Sequence, residues 1–201
     1  MKSIIRTMIC LSGIAAITFL LSFAFPPKGI YDIKIKDING EMKALSNYYK
    51  EKMVFIILSG KEADSALSTL SAFCTKYKDS AAVFGILSIE DGYSEASKKL
   101  VKDRFKSKCP GIILTEGMNT RIASTGQSEL MQWLTHTEQN HYSNQDVTGP
   151  GWKFFIDETG KLYAAMPPQL VLTSPFIPRI MSKPVRPQPQ AQAVPLQKKP
   201  N

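Results

Sequence analysis

The amino-acid sequence predicts an α/β domain with a central, mixed and mostly parallel sheet flanked by helices and a β-hairpin at each end. Two observations carry that expectation. Continuous apolar runs at Met53–Leu58 and Ala82–Ile89 alternate with segments of helical period, and strands that alternate with helices build parallel sheets covered on both faces. Turn sequences framed by short strand patterns, Asn39-Gly40 and Glu158-Thr159-Gly160, then stand near the two ends of this region.

Tyr31 to Ile38 alternates polar and apolar residues, as a half-exposed strand does. Asn39-Gly40 follows, a turn in which both residues accept positive φ. A brief partner strand, Glu41 to Ala44, leads to a single helical turn at Leu45 to Tyr49. Met53 to Leu58 is apolar on both faces and reads as a central strand. Ser59-Gly60-Lys61-Glu62 breaks it. From Ala63 to Tyr77, the residues Ala66, Leu67, Leu70, Phe73, Cys74 and Tyr77 recur at helical spacing. Ala82 to Ile89 is the second buried strand, Ser94 to Phe105 a charged amphipathic helix, and Gly111 to Leu114 a third, short strand. Ser128 to Thr135 is helical, with Leu130, Met131 and Leu134 as its apolar side. Trp152 to Asp157, a turn at Glu158 to Gly160, and Lys161 to Ala165 form the closing hairpin.

The chain therefore divides into three stretches. In residues 1–25, Lys2 and Arg6 precede an uncharged run from Thr7 to Phe25. Such a run reads as a secretory signal or as an N-terminal membrane anchor. Ser22 and Ala24 supply the small residues that a signal peptidase reads, which favours cleavage after Ala24 over retention as an anchor. In either case the positive start stays cytoplasmic and the body lies outside, secreted, periplasmic or held at the cytoplasmic membrane. Residues 26–182 form the folded body. Residues 183–201 are dominated by Pro and Gln and read as an extended, disordered tail.

The formal net charge is +8. The basic residues are dispersed, with the densest runs between Lys98 and Lys108 and at Lys198-Lys199, and no nucleic-acid-reading motif accompanies them. No nucleic-acid partner is expected, and a membrane is expected only through the N-terminal segment. His136 and His141 have no Cys or carboxylate in a metal-ligand pattern around them. Asp64 and Ser65 make no recognisable triad with either histidine, and Gly60-Lys61 lacks the glycine spacing of a phosphate loop. No metal or cofactor is expected.

Several segments resemble the glutathione peroxidase family. Ile30 to Gly40 is similar to that family's first hairpin, and Leu45-Ser46 to Tyr48 to its Leu-Ser-Asp-Tyr segment. Lys52 to Leu58 resembles the strand that leads to the active site. Leu70 to Asp79 resembles the end of the first helix, and Leu130 to Leu134 the Leu-Tyr-Lys-Trp-Leu helix. Lys153-Phe-Phe-Ile-Asp-Glu-Thr-Gly-Lys161 is similar to the family's Lys-Phe-Leu-Ile-Asp-x-x-Gly-Lys hairpin, a motif shared with peroxiredoxins and exported thioredoxin-like reductases. The resemblance covers the body from about residue 29 to 182 and implies a thioredoxin-like fold.

The resemblance also implies a catalytic set that the sequence lacks. Peroxide reduction needs a thiolate or selenolate at an exposed helix N-terminus. In the family this residue follows the central strand by a few positions, which here fall at Lys61, Glu62 or Ala63. None of the three can form a sulfenic acid. The family's Gln after the second strand is missing from Ile89 to Ser94, Gly149-Pro150 occupies the place of its Trp-Asn pair, and there is no Cys-x-x-Cys. Trp152 is near in sequence but displaced. Cys10 lies in the leader, which leaves Cys74 and Cys109 as candidate redox residues. Cys74 sits on the apolar face of the first helix, about 17 Å past the expected site at ~1.5 Å per residue. Cys109 precedes Pro110, at a place where X-Pro bonds are sometimes cis. The expectation is an exported thioredoxin-fold domain without peroxidase activity, with a binding or structural role toward an unidentified protein or peptide. A further reading is a binding module whose groove, lined by Tyr142 to Trp152, takes a peptide or a cell-envelope component. The alternative is a divergent thiol peroxidase or oxidoreductase of the oxidative-stress response, using Cys109 with or without Cys74.

Overall fold

A computed structural model describes residues 28–182. The leader (1–25) and the tail (183–201) lie outside the described residues. A 3-10 turn, Ile30–Asp32, opens the domain, followed by β1 (Lys34–Lys36), β2 (Met42–Ala44) and a second 3-10 turn, Leu45–Tyr48. Next come β3 (Lys52–Leu58), α1 (Asp64–Tyr77), β4 (Ala81–Ser88), a 3-10 turn at Glu95–Ser97, α2 (Lys98–Lys108) and β5 (Ile113–Met118). The chain closes with α3 (Glu129–Thr135), α4 (Thr137–Asn140), β6 (Lys153–Ile156), β7 (Leu162–Met166) and α5 (Phe176–Met181). The five-stranded sheet has the order β5-β4-β3-β6-β7, and β1-β2 forms a separate two-stranded sheet. β3, β4 and β5 run parallel, while β6 and β7 complete the sheet antiparallel.

The centre of the sheet follows from its composition. β3 is buried at every position and feeds two cores by alternation, as strand side chains must. Val54, Ile56 and Leu58 enter one core with α1, α2 and α5. Met53, Phe55 and Ile57 enter the other with α3 and the 3-10 turns. Gly85 in β4 has a packing reason: an added Cβ would stand 2.5 Å from Leu58 Cδ1 and 2.8 Å from Leu114 Cδ2. The last helix is fastened back onto the sheet by the buried Lys52, whose Nζ donates to the Met181 carbonyl at 2.6 Å.

The structure departs from the sequence expectations in several places. Of Asn39-Gly40 only Gly40 has positive φ. The turn is a longer one, in which Asp37 Oδ1 accepts from the Asn39 and Glu41 N–H groups and Ile38 N–H donates to Leu114 O. Ile38 is needed in the core and in the bond to β5, so the hairpin cannot close on two residues. The first strand is shorter than expected because Ile30–Asp32 coils into a 3-10 turn, with Asp32 Oδ2 accepting from Gly29 N–H. α2 starts later and runs to Lys108, behind the 3-10 turn at Glu95–Ser97. β5 starts later and extends to Met118, through residues too polar for the apolar-run criterion, because it lies at the sheet edge. Trp133 is buried with Leu130, Met131 and Leu134, so α3 presents a wider apolar face than expected. The short helices α4 and α5 carried no periodic signal.

Candidate functional site

The parallel strands β3 and β4 end side by side, and the turn after each brings the residues of interest together. After β3, the Ser59 N–H donates to Glu62 Oε1 at 2.5 Å and the Ser59 hydroxyl donates to the same oxygen at 3.0 Å. Lys61 N–H donates to Ser59 Oγ at 3.0 Å. The segment is a closed turn held by the Glu62 carboxylate, and Ala63 forms the N-cap of α1 in an extended conformation without a side-chain cap. Lys61 is exposed and lies across the β4 turn, where an added Cβ on Gly92 would come within 2.9 Å of Lys61 Nζ. Of the three expected positions, only Glu62 turns inward. Its Oε2 is enclosed without a hydrogen-bond partner.

Glu62 lines a cavity of about 420 Å³ whose walls include Leu58, Leu70, Pro150, Val171 and Lys153. Lys153 is 4% exposed, and its Nζ donates to the Gly151 carbonyl at 2.5 Å. Burial pulls this ammonium down to about 8. The cavity is thus an apolar slot with one carboxylate oxygen that lacks a donor and one buried amine. Of the groove expected from Tyr142 to Trp152, Pro150 and Gly151 line it. Trp152 does not: it faces the other core, where it stacks on Phe154 and donates from Nε1 to Thr148 Oγ1 at 3.2 Å. The β-alternation that turns Trp152 away turns Lys153 in.

After β4, Glu90 occupies the turn that lacks the family's Gln. Its carboxylate accepts from the Thr120 N–H at 2.9 Å, the Arg121 N–H at 3.1 Å and the Ser124 hydroxyl at 2.5 Å. Partial burial pushes the carboxyl up, but the bonds from Ser124 and the backbone outweigh it and bring it to about 2. Asp91 accepts from Ser88 Oγ at 2.7 Å and pairs with Arg121 at 2.8 Å. These groups are consumed in anchoring the segment after β5. Sequence reasoning missed Glu90 and Lys153; the legible signal for the second was a lysine between two aromatic residues of a buried strand.

Cys74 and Cys109 are free, buried thiols whose sulfurs stand 3.7 Å apart. Cys74 lies in the third turn of α1 and Cys109 is the C-cap of α2. The ten residues from Asp64 to Cys74 put the pair ~15 Å along the helix from its N-terminus. The hydrogen bond with Cys109, then burial, pushes the Cys74 thiol far up. The hydrogen bond with Cys74 holds the Cys109 thiol below its ordinary value. No described peptide bond is cis, Cys109–Pro110 included. Asp64 is taken by Arg104 at 2.7 Å, and His136 Nδ1 lies 3.0 Å from Gln132 O. Among the described residues no group of three His, Cys, Asp or Glu could hold a metal.

No family model matches the chain, and no curated protein matches it. Solved structures do. Trgpx in apo form is 16% identical over 78% of this chain and 97% of its own, with a TM-score of 0.53. GPX1 of T. cruzi is 12% identical over 72% and 90%, also at 0.53. A thiol:disulfide interchange protein of the thioredoxin family from Chlorobium tepidum TLS is 16% identical over 77% and 94%, at 0.50. The chain has a thioredoxin-like fold. At these identities the likeness is one of architecture, and the chemistry has to be argued from the residues above.

Proposed function

We propose that this chain is an exported thioredoxin-fold domain that keeps a scaffold resembling the glutathione peroxidases without peroxidase activity, and that it binds an extended segment of a partner protein. One observation carries the reading: the turn into α1, where that family places its sulfur or selenium, is closed by Glu62 through Ser59. A carboxylate there offers no atom that peroxide can oxidise, and its negative charge opposes the formation of a thiolate nearby. The cavity beside it supports the binding role. Its apolar walls suit an apolar side chain, and Glu62 and Lys153 are the charged residues of its lining. The leader, by this reading, delivers the body outside the cytoplasmic membrane, either cleaved after Ala24 or retained as an anchor.

Binding of the purified chain to an array of extended peptides with a central apolar residue tests the site. The expected result is retention of a subset of them, weakened by Glu62→Ala, which removes the carboxylate that holds the turn beside the cavity. Binding unchanged by Glu62→Ala would contradict the reading. A second reading, a divergent thiol peroxidase using Cys109 and Cys74, is favoured by the 3.7 Å approach of the two sulfurs. Against it stand the burial of both thiols and their distance from the N-terminus of α1.

A further inference from the structure

We propose that Cys74 and Cys109 form an intramolecular disulfide that staples α1 to the turn between α2 and β5. The two sulfurs are already in contact at 3.7 Å, and bonding requires them to close by about 1.7 Å, to the ordinary bond length. Both partners are held in place. Cys74 is inside a helix, and Cys109 donates its N–H to Phe105 O at 2.7 Å while its carbonyl accepts from Ile112 N–H at 3.3 Å. Gly111 lets this turn approach α1: a Cβ there would stand 3.2 Å from Cys74 Cβ. Cys10, the third cysteine of the chain, belongs to the leader, so the body carries a single pair.

The chemistry is thiol–disulfide exchange with an anionic disulfide such as glutathione disulfide. Cys109 borders a cleft with Asp37, Lys43, Lys102 and Lys106, a lining in which cations outnumber anions, but it is only 1% exposed in the folded chain. Attack starts there when local opening of the turn between α2 and β5 exposes the sulfur. The Cys109 thiolate displaces one thiolate from the incoming disulfide and forms a mixed disulfide. The Cys74 sulfur, giving up its proton, then attacks the Cys109 sulfur and releases the second thiolate. Two protein thiols are oxidised to one disulfide, one external disulfide is reduced to two thiols, and no peroxide takes part. The product lies in the core, and its role is stability rather than turnover. The proposal does not depend on the peptide site and goes beyond it.

The test uses the full chain carrying Cys10→Ser, equilibrated with excess glutathione disulfide, quenched in acid, unfolded and alkylated. The expected product takes up no alkyl group, is lighter by two hydrogens and yields a proteolytic fragment joining the Cys74 and Cys109 segments. With cysteines 35 residues apart, a reductant should lower the thermal midpoint by on the order of 10 °C. The same reductant should leave the midpoint of the Cys74→Ser variant unmoved. Two alkyl groups on the unfolded chain, or stable glutathione adducts, would overturn the proposal. So would a midpoint of the Cys10→Ser chain that reductant does not shift. That last comparison needs no second variant, so it decides the matter even where Cys74→Ser fails to fold.

Discussion

At the scale of single residues, two buried or half-buried charges set opposite pH dependences. Glu90 titrates at about 2 in the folded chain against an ordinary value of 4.5. Its folded pKa is lowered, so its stabilisation is complete above about pH 4.5 and is lost as the pH falls toward 2. Glu90→Gln is expected to cost ~1–3 kcal/mol at neutral pH and to flatten the acid limb of the stability curve between those values, as read by chemical denaturation at a series of pH values. Lys153 works the other way. Its folded value of about 8 lies below its ordinary 10.5, so the folded state binds fewer protons in that interval and stability rises with pH across it. Lys153→Met is expected to abolish that rise without lowering stability at pH 7, since it removes a buried cation and fills the same space. A variant that keeps the rise would show that another group is responsible.

Neither residue was singled out from the sequence, and the reasons differ. Glu90 sits in a turn whose meaning depends on Thr120, Arg121 and Ser124, some thirty residues away, and no local pattern reports such a pairing. Lys153 was visible as a charge inside an apolar strand, but the cavity it faces is completed by Leu70 and Val171 from other elements.

At the scale of elements, the two hairpin turns share one design. Asp157 Oδ1 accepts from the Thr159 and Lys161 N–H groups, as Asp37 Oδ1 does from Asn39 and Glu41, and a glycine of positive φ closes each loop. Gly160 is the more constrained, because φ is +81° and an added Cβ would stand 2.5 Å from Tyr31 Cε2. Gly160→Ala is therefore expected to destabilise by ~1–3 kcal/mol, measured as a shift in denaturation midpoint, whereas Gly40→Ala, with the same backbone sign but open space around it, should cost less. Elements with strong periodic or apolar signals, β3, α1, β4 and α3, were legible to within a few residues. β5 was only half legible because polar residues suffice at a sheet edge. The 3-10 turn before α2 arose where Ser94, Glu95 and Ser97 favour local hydrogen bonds over a helix start.

At the scale of the molecule, the order β5-β4-β3-β6-β7 brings the carboxyl ends of β3 and β4 together, the side of an open α/β sheet on which ligands generally bind. The same topology carries both cysteines away from it, to the far turns of α1 and α2, where they meet each other instead. The sequence alone places Cys74 on its helix but sets Cys109 at the start of a strand, whereas it caps the end of α2, and it could not bring the two into contact, because the approach depends on how α1 and α2 lie side by side. Our central proposal, that the turn into α1 carries no peroxidatic group and that no other group supplies such chemistry, is tested most directly by the reaction of the reduced, folded chain with hydrogen peroxide. The rate of thiol loss should be read by rapid quench and alkylation beside an unfolded sample of the same chain. The account predicts that Cys74 and Cys109 in the folded chain react no faster than the same thiols unfolded. Oxidation orders of magnitude faster in the folded chain, abolished by Cys109→Ser, would contradict it.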